Sequence, residues 1–540
     1  MTESLDAAAA GRRDEGKVVQ RASLIAFFTL LSRILGYVRD AVLASIFGAS
    51  ATFDAFVVAQ TIPNFLRRLV AEGALVIAYV PILAEEREKG GMDAVRRFFA
   101  SVMGALLPIL VFFVAFGMLF PGLVVEAFAP GFNPERMEIA TRLSQIMMPF
   151  ILFVSLMAIA SGTLNVLGSY GPGAAAPIFL NVAMIGMAVW GGRFMPDPII
   201  GVAAAFTIGG ILQLALQIPF LAKHKVLVWP RLEPNDPAVR LLLKRMAPAV
   251  FGVAVYQINL MVIRQIGSFL PDGQLTCYYN ATRLQEFALG VFAMSVSVAA
   301  LPTLAEHAAK RDFGAMLETY RGALRATNFV TMPATVALVC MSGPVVRVLF
   351  RHGAYGEQAA EMTSGLLLIL GMAIMPIGAI RVVVPTFYAL GDTKTPVYGA
   401  IASLASTFIV GHALRTRFEI YGLTAATSFA ALLQLLVLGL TLTRAIRRRA
   451  PDLDTRSFST FSHAAKALLA ALPGVLLATF LARLYGFEGE GRTLVSAVVL
   501  MALVGLAAGL YFGMAKILGL EEADLVLGLV RRRLARLRRR

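Results

Sequence analysis

Guanidinium groups lie in the middle of apolar runs in this sequence. Arg33, Arg39 and Asp40 fall in the first long hydrophobic stretch, Asp54, Asn64, Arg67, Arg68 and Glu72 in the second, and Arg283 with Glu286 much further along. An arginine at bilayer depth costs at least ~2.5 kcal/mol to insert, and is tolerated where it faces protein interior or a water-filled cavity. Arginine stays protonated, and its planar fork donates two parallel hydrogen bonds to a phosphate. Several forks from different helices would hold a diphosphate and replace its hydration. The expected chemistry is recognition of a large phosphorylated anion, with no covalent step.

Spacing sorts these residues. Arg33 lies about eleven residues into the first run, roughly 16 Å deep at 1.5 Å per residue. Asp40, seven residues later, projects from nearly the same face, while Arg39 aligns with Ser32, and Gly36 between them permits close helix contact. In the second run Asp54, Thr61, Asn64, Arg68 and Glu72 fall within one sector of a helical wheel. Arg68 and Glu72 are i,i+4 neighbours and can pair, which leaves Arg67 on another face as the better ligand candidate. Arg283 and Glu286 are i,i+3. Arg264 and Arg381 are isolated and read as structural, bonded to backbone carbonyls. The competing reading of the whole set is interhelical salt bridges that only fix packing. Against it, cations outnumber anions in these runs.

The elements that position them are membrane helices. The chain has 540 residues, 58% hydrophobic and only 15% charged, with mean hydropathy +0.74. That composition describes an all-α polytopic membrane protein and excludes a soluble domain. The net charge of +16 does not signal nucleic acid, because the basic residues cluster in short connections and no aromatic-interleaved basic domain exists. About fourteen runs are long enough to span a ~30 Å core. They lie near 22–47, 52–83, 98–121, 139–160, 174–191, 198–221, 247–269, 279–303, 326–343, 360–389, 396–413, 421–443, 461–483 and 493–517. With the N-terminus inside, roughly 32 Lys/Arg fall on the cytoplasmic side and roughly 8 on the other, so both termini are expected in the cytoplasm. The first twenty residues lack a signal-peptide core and read as a disordered tail. The arginine-rich C-terminal tail is either a topology anchor or a lipid contact.

An internal repeat is visible. AYVPILAEE (78–86) is echoed by AALPTLAEH (299–307), and LGSYGP (167–172) by LGDTKTP (390–396). Two six-helix halves with a substrate site between them near the midplane follow from this. The expected organisation is a tail at 1–21, a first half at 22–222, a linker at 223–245, and a second half at 246–443. A linker at 444–460, two further helices at 461–517 and a basic tail at 518–540 complete it. Cys277 and Cys340 lie outside any metal-ligand spacing, and a disulfide stays open beside two free thiols. The five histidines (His224, His307, His352, His412 and His463) pair with no carboxylate motif, and no nucleophile–base arrangement appears, so an enzyme is not expected.

At the charged residues the chain resembles the MurJ/MviN lipid II flippases, within the MATE-like (MOP) transporter superfamily. The likeness rests on SRILGYVRDAVLASIFGAS (32–50), TFDAFVVAQTIPNFLRRLVAEGAL (52–75), YVPILAE (79–85), APGF (129–132), RLQEF (283–287) and PTFYALGDTKTPV (385–397). It implies a MATE-like fold of two pseudo-repeated halves plus two extra C-terminal helices. It also implies flipping of lipid II, the undecaprenyl-pyrophosphate-linked disaccharide peptide, to the outer leaflet of the bacterial inner membrane. By the same resemblance Arg33, Arg39, Arg67 and Arg283 are substrate-binding, and Asp40, Asp54, Asn64, Arg68, Glu72 and Glu286 supporting or gating. Several members place Asp where this chain has Thr282. Some relatives bind sodium, but spans seven, eleven and twelve hold no Asp or Glu here, so no sodium site and no cofactor is expected.

The expected cycle takes the headgroup into an inward-open cavity, leaves the polyprenyl tail in membrane lipid, and rocks the halves, with the membrane potential needed to reset the cationic site. Contact with the cell-wall synthesis machinery would be transient. Alternatives are a flippase for another polyprenyl-linked oligosaccharide, sharing the electrostatics, and a MATE-type drug or cation exporter, which would want carboxylates.

Overall fold

The computed structural model describes residues 2–69, 75–193, 195–233, 235–451, 453, 460–487, 493–525 and 528. All regular elements among them are helical, and nine helical segments are long and apolar enough to cross a membrane by length and composition. The chain is an all-α polytopic membrane protein.

Two compact units divide the chain at Phe269 and Leu270. The first contains α1 (Thr2–Phe47), α2 (Ala51–Leu66), α3 (Val76–Leu119), α4 (Pro121–Phe128), α5 (Pro134–Met147), α6 (Phe150–Val166), α7 (Gly171–Trp190), α8 (Pro198–Lys223) and α9 (Pro237–Ser268). Helix α1 begins at Thr2, so the segment expected as a disordered tail is helical, in keeping with its run of four alanines at 7–10. Residues 70–74, inside the second expected span, lie outside the described residues. Helix α2 carries Pro63, which donates no backbone N–H, and widens into a π-type turn at 67–69; α3 is described from Val76. Helix α3 then bends at Gly90 and Gly91, the latter at φ +62°, so two expected spans meet there. By packing, α9 lies with the first unit, against α3 and α4, and it starts ahead of the boundary expected at 246.

Within this unit α7 packs on α8 and α1, α2 on α5, and α3 on α6. The α3–α6 contact centres on Tyr79, fully buried, whose hydroxyl shares a 2.7 Å hydrogen bond with Thr163 and whose ring stacks on Phe98.

The second unit contains α10 (Gln274–Ala309), α11 (Phe313–Cys340), α12 (Ser342–Phe350), α13 (Glu357–Met372), α14 (Ile374–Ala389), α15 (Lys394–Arg449), α16 (Phe461–Tyr485) and α17 (Thr493–Ile517). Glu419 at φ +47° breaks α15 into two legs, matching two expected spans. The element order of the first unit recurs: α4 to α6 correspond to α12 to α14, and α7 with α8 to the two legs of α15. The extra pair, α16 and α17, packs on α11 through small residues. A Cβ on Gly474 would stand 2.7 Å from the Ala507 carbonyl, so the two backbones meet where only glycine fits. Tyr511 of α17 ties the pair to α11 by donating to the Phe329 carbonyl at 2.6 Å.

Candidate functional site

In the first unit the charged residues separate into a closed pair and an open group. Arg39 and Asp40 are buried, 8% and 2% exposed, and form a 2.6 Å ion pair through Arg39 Nη2 and Asp40 Oδ1. Arg39 Nε donates to the same oxygen at 2.9 Å, and Nη1 donates to Asn181 Oδ1 of α7 at 3.2 Å. Asn181 completes the clamp by donating to the Ser32 carbonyl at 3.1 Å. The face of α1 holding Ser32, Gly36 and Arg39 is therefore turned to α7, and a Cβ on Gly36 would touch Asn181. A carboxylate beside the guanidinium is what makes so buried a cation tolerable. Arg39, expected as a substrate ligand, is committed to packing here.

Arg33 lies two turns earlier on α1 and is half-buried. Among the described residues no hydrogen bond or ion pair reaches it. Arg68 of α2 is likewise half-buried, with no such partner among the described residues. Its expected partner Glu72 lies outside the described residues, as does Gly73. Arg67, at the π-type turn, donates from Nε to Asn64 Oδ1 at 3.2 Å, and Asn64 Nδ2 donates to the Gln60 carbonyl at 2.9 Å. This ladder holds Arg67 where α2 loosens. Asp54 is fully buried in the first turn of α2, where the helix dipole favours a carboxylate, and Ser50 caps that helix through the Phe53 amide.

In the second unit Arg283 and Glu286 approach to 3.4 Å, a loose pair with side chains 32% and 48% exposed. The Arg283 guanidinium also lies 5.8 Å from the Tyr279 ring centroid. Thr282 spends its hydroxyl on the Tyr279 carbonyl at 2.8 Å. Arg381 donates to the Leu289 carbonyl at 3.1 Å, in line with its structural reading. Cys277 and Cys340 are free thiols. His463 of α16 bonds Glu522 at 2.9 Å, and no group of three His, Cys, Asp or Glu among the described residues has metal-binding geometry.

Outside the membrane the charges behave ordinarily. Glu85 and Glu306 are held below the usual carboxylate range by hydrogen bonds from Lys89 and Lys310, whose amines are raised in turn. Burial alone would raise the Glu522 carboxyl, but the hydrogen bond from His463 and neighbouring charge outweigh it and lower it.

Sequence reasoning missed Asn181, the group that fixes Arg39. Its signal was a lone amide in the apolar run PIFLNVAMIG (177–186). Among the described residues, the first unit thus offers an arrangement of half-buried cations, Arg33 and Arg68, that no carboxylate reaches, on helices whose packing is satisfied elsewhere. It suits binding of a multivalent oxyanion.

Comparison with known proteins agrees in sequence and fold. The family described as Lipid II flippase MurJ matches residues 43–511. A probable lipid II flippase MurJ from Vibrio cholerae is 32% identical over 524 residues, covering 94% of this chain and 98% of the relative. The lipid II flippase MurJ of Burkholderia cenocepacia is 33% identical over 506 residues, covering 92% and 96%. Among solved structures, a lipid II flippase MurJ in an inward closed conformation aligns with TM-score 0.72 and 25% identity, over 91% of this chain and 98% of that one. An inward-facing MATE multidrug transporter of the MOP superfamily aligns with TM-score 0.66 at 11% identity, over 80% and 100%, a likeness of fold alone.

Proposed function

The chain belongs to the lipid II flippase MurJ family, whose members are transporters and not enzymes, and from that premise we propose that it moves lipid II from the inner to the outer leaflet of the bacterial cytoplasmic membrane. The protein sits in that membrane with both termini cytoplasmic, as the distribution of Lys and Arg favours. Alternating access carries the headgroup across while the polyprenyl chain stays in lipid.

The observation that carries this reading is Arg33. It is half-buried in the middle of α1, with no hydrogen bond or ion pair among the described residues, one and a half to two turns from an arginine that is fully neutralised. A cation left in that position is stabilised by water or by an anionic ligand. Arg33, Arg67 and Arg283 receive the pyrophosphate, with Arg68 adding positive potential. Asn64 and Glu286 orient two of these forks, since they already touch Arg67 and Arg283. Arg39 contributes by locking α1 to α7 through Asp40 and Asn181, and Asp54 anchors the start of α2.

The site works by exchange. An oxyanion gives up hydration and gains charge-assisted bonds, each roughly twice as strong as a neutral one. Release on the far side needs those bonds to be traded back for water, so no single contact should be very tight. An inside-negative potential favours return of the emptied cationic site to the inward state, at ~2.3 kcal/mol per charge per 100 mV. No bound ion or cofactor is needed in this scheme.

The test is a leaflet-specific assay of lipid II in cells rapidly depleted of this protein and supplied with variants. Depletion should trap lipid II on the inner leaflet, and Arg33→Ala should fail to relieve it while present in the membrane at normal amount. Normal export by that variant at normal abundance defeats the arginine-receptor reading. Unchanged export on depletion defeats the substrate assignment.

A further inference from the structure

The connection from α8 to α9 is a pinned strap, and among its described residues the most exposed apolar side chain is a tryptophan. After α8 ends at Lys223, Lys225 turns at φ +56° and its carbonyl accepts a 2.6 Å hydrogen bond from Arg96 Nε. Val226 is fully buried. The Arg231 amide donates to the Ala100 carbonyl of α3 at 2.9 Å, and Ser101 Oγ donates to Glu233 Oε2 at 3.0 Å. A Cβ on Gly104 would stand 2.0 Å from the Arg231 carbonyl oxygen, so strap and helix touch backbone to backbone. A connection held at both ends in this way has little freedom to hide an apolar side chain.

Yet Trp229, between the two pins, is 89% exposed, and Leu232 and Leu227 beside it are 69% and 56% exposed. Lys223, Lys225 and Arg231 flank it in sequence and are exposed, as is Arg97 of α3, beside the half-buried Arg96 that bonds the strap. The nearby acids are already engaged, Asp93 by Arg96 and Glu233 by Ser101. Height is fixed by α8, whose 26 residues span about 39 Å and so carry an apolar helix from one side of a ~30 Å core to headgroup level on the other. A tryptophan at that level, flanked by cations in sequence, has the chemistry of a membrane–water interface.

We propose that the strap 224–233 is a lipid-docking element: Trp229, with Leu227 and Leu232, enters the headgroup region of an anionic leaflet, and Lys223, Lys225 and Arg231 bind its phosphates. The contact anchors the cytoplasm-facing end of α8 and α3 to the bilayer surface. It requires lipid at the end of α8 and stands whether or not the transport reading holds.

The chain has two tryptophans, so Trp190→Phe leaves Trp229 as the sole emitter. That variant is placed in nanodiscs of phosphatidylcholine with or without phosphatidylglycerol, with acyl chains brominated near the carbonyl end. Brominated discs containing phosphatidylglycerol should remove about half or more of the Trp229 emission, with acrylamide having little effect, as for an interfacial indole. Strong acrylamide quenching without bromolipid quenching would overturn the proposal, as would an indole reached by neither quencher, which would mean a protein cover. Combining Lys223→Gln, Lys225→Gln and Arg231→Gln should reduce the bromolipid effect. Quenching indifferent to those changes and to phosphatidylglycerol would overturn the anionic-surface assignment.

Discussion

The two units run through the same series of helices and use it for different chemistry. Glu85–Lys89 and Glu306–Lys310 are i,i+4 ion pairs of 2.7 and 2.6 Å at matching places. The helices α6 and α14 close with the same left-handed glycine, Gly168 at φ +83° and Gly391 at φ +76°, and the next amide reaches back to Leu164 and to Phe387. At the π-type turn after α2 the first unit carries Arg67 and Arg68. In the second, α10 runs unbroken and presents Arg283 earlier along its length. The repeated scaffold and the unrepeated charges are carried by different residues. Fold and proposed site are thus separable here: the repeated features hold the chain, and the residues proposed to meet the substrate are unrepeated.

That division can be broken in order of expected effect. Arg33→Ala should lower lipid II export about 100-fold or more, as loss of a two-pronged charge-assisted contact. Arg283→Ala, whose guanidinium already leans on Glu286, should cost about tenfold. Equal losses in the leaflet assay would show that both units contribute alike.

Asp40→Ala should strand a buried guanidinium and destabilise the first unit by about 3–5 kcal/mol. Thermal unfolding in detergent would read this as a large drop in Tm, partly restored by adding Arg39→Met. No drop would mean the α1–α7 clamp is dispensable.

Gly104→Ala tests a feature the second unit lacks, since there α16 and α17 cover α11 in place of a strap. Driving the Arg231 carbonyl away should cost about 1–3 kcal/mol and speed amide exchange across 225–233, with the second unit unchanged.

The turns after α6 and α14 should part company in acid. Burial alone would raise the Asp392 carboxyl, but hydrogen bonds from the Thr395 hydroxyl and the amides of Thr395 and Lys394 outweigh it and lower it. A depressed carboxylate stabilises fully above its unfolded value and loses that contribution as pH falls through its folded value, so the window lies below about 3.8. Ser169, after Gly168 as Asp392 is after Gly391, does not titrate there. Limited proteolysis between pH 5 and 3 should open 387–396 before 164–173.

Smallest of all, Lys89→Ala and Lys310→Ala should leave Tm unchanged. Both pairs are solvated, and exposed ion pairs contribute little.

Much of this fold was legible in the sequence because hydropathy and local turn chemistry act over short range. The repeat strings AYVPILAEE and AALPTLAEH carried a real signal: each brings the acid of an i,i+4 pair to the same place in the repeat. The site was legible in composition and less so in geometry. A helical wheel sets neighbours about 100° apart and gave no hint that Arg39 would fold back onto Asp40, because the partner that fixes it, Asn181, is 142 positions away. The wheel also assumed that α2 continues through its polar stripe, whereas Pro63 and the π-type turn change the register before Arg68. Long-range packing and the π-type turn decide these details.

The closure of Arg39 onto Asp40 bears on which groups a membrane potential could act on. Two opposite charges 2.6 Å apart that travel together displace no net charge through the field. Any movement of α1 along the membrane normal would therefore register electrically through Arg33 rather than through its two buried neighbours. Neutralising Arg33 should flatten the dependence of transport on potential, and deleting the pair as a pair should leave that dependence in place.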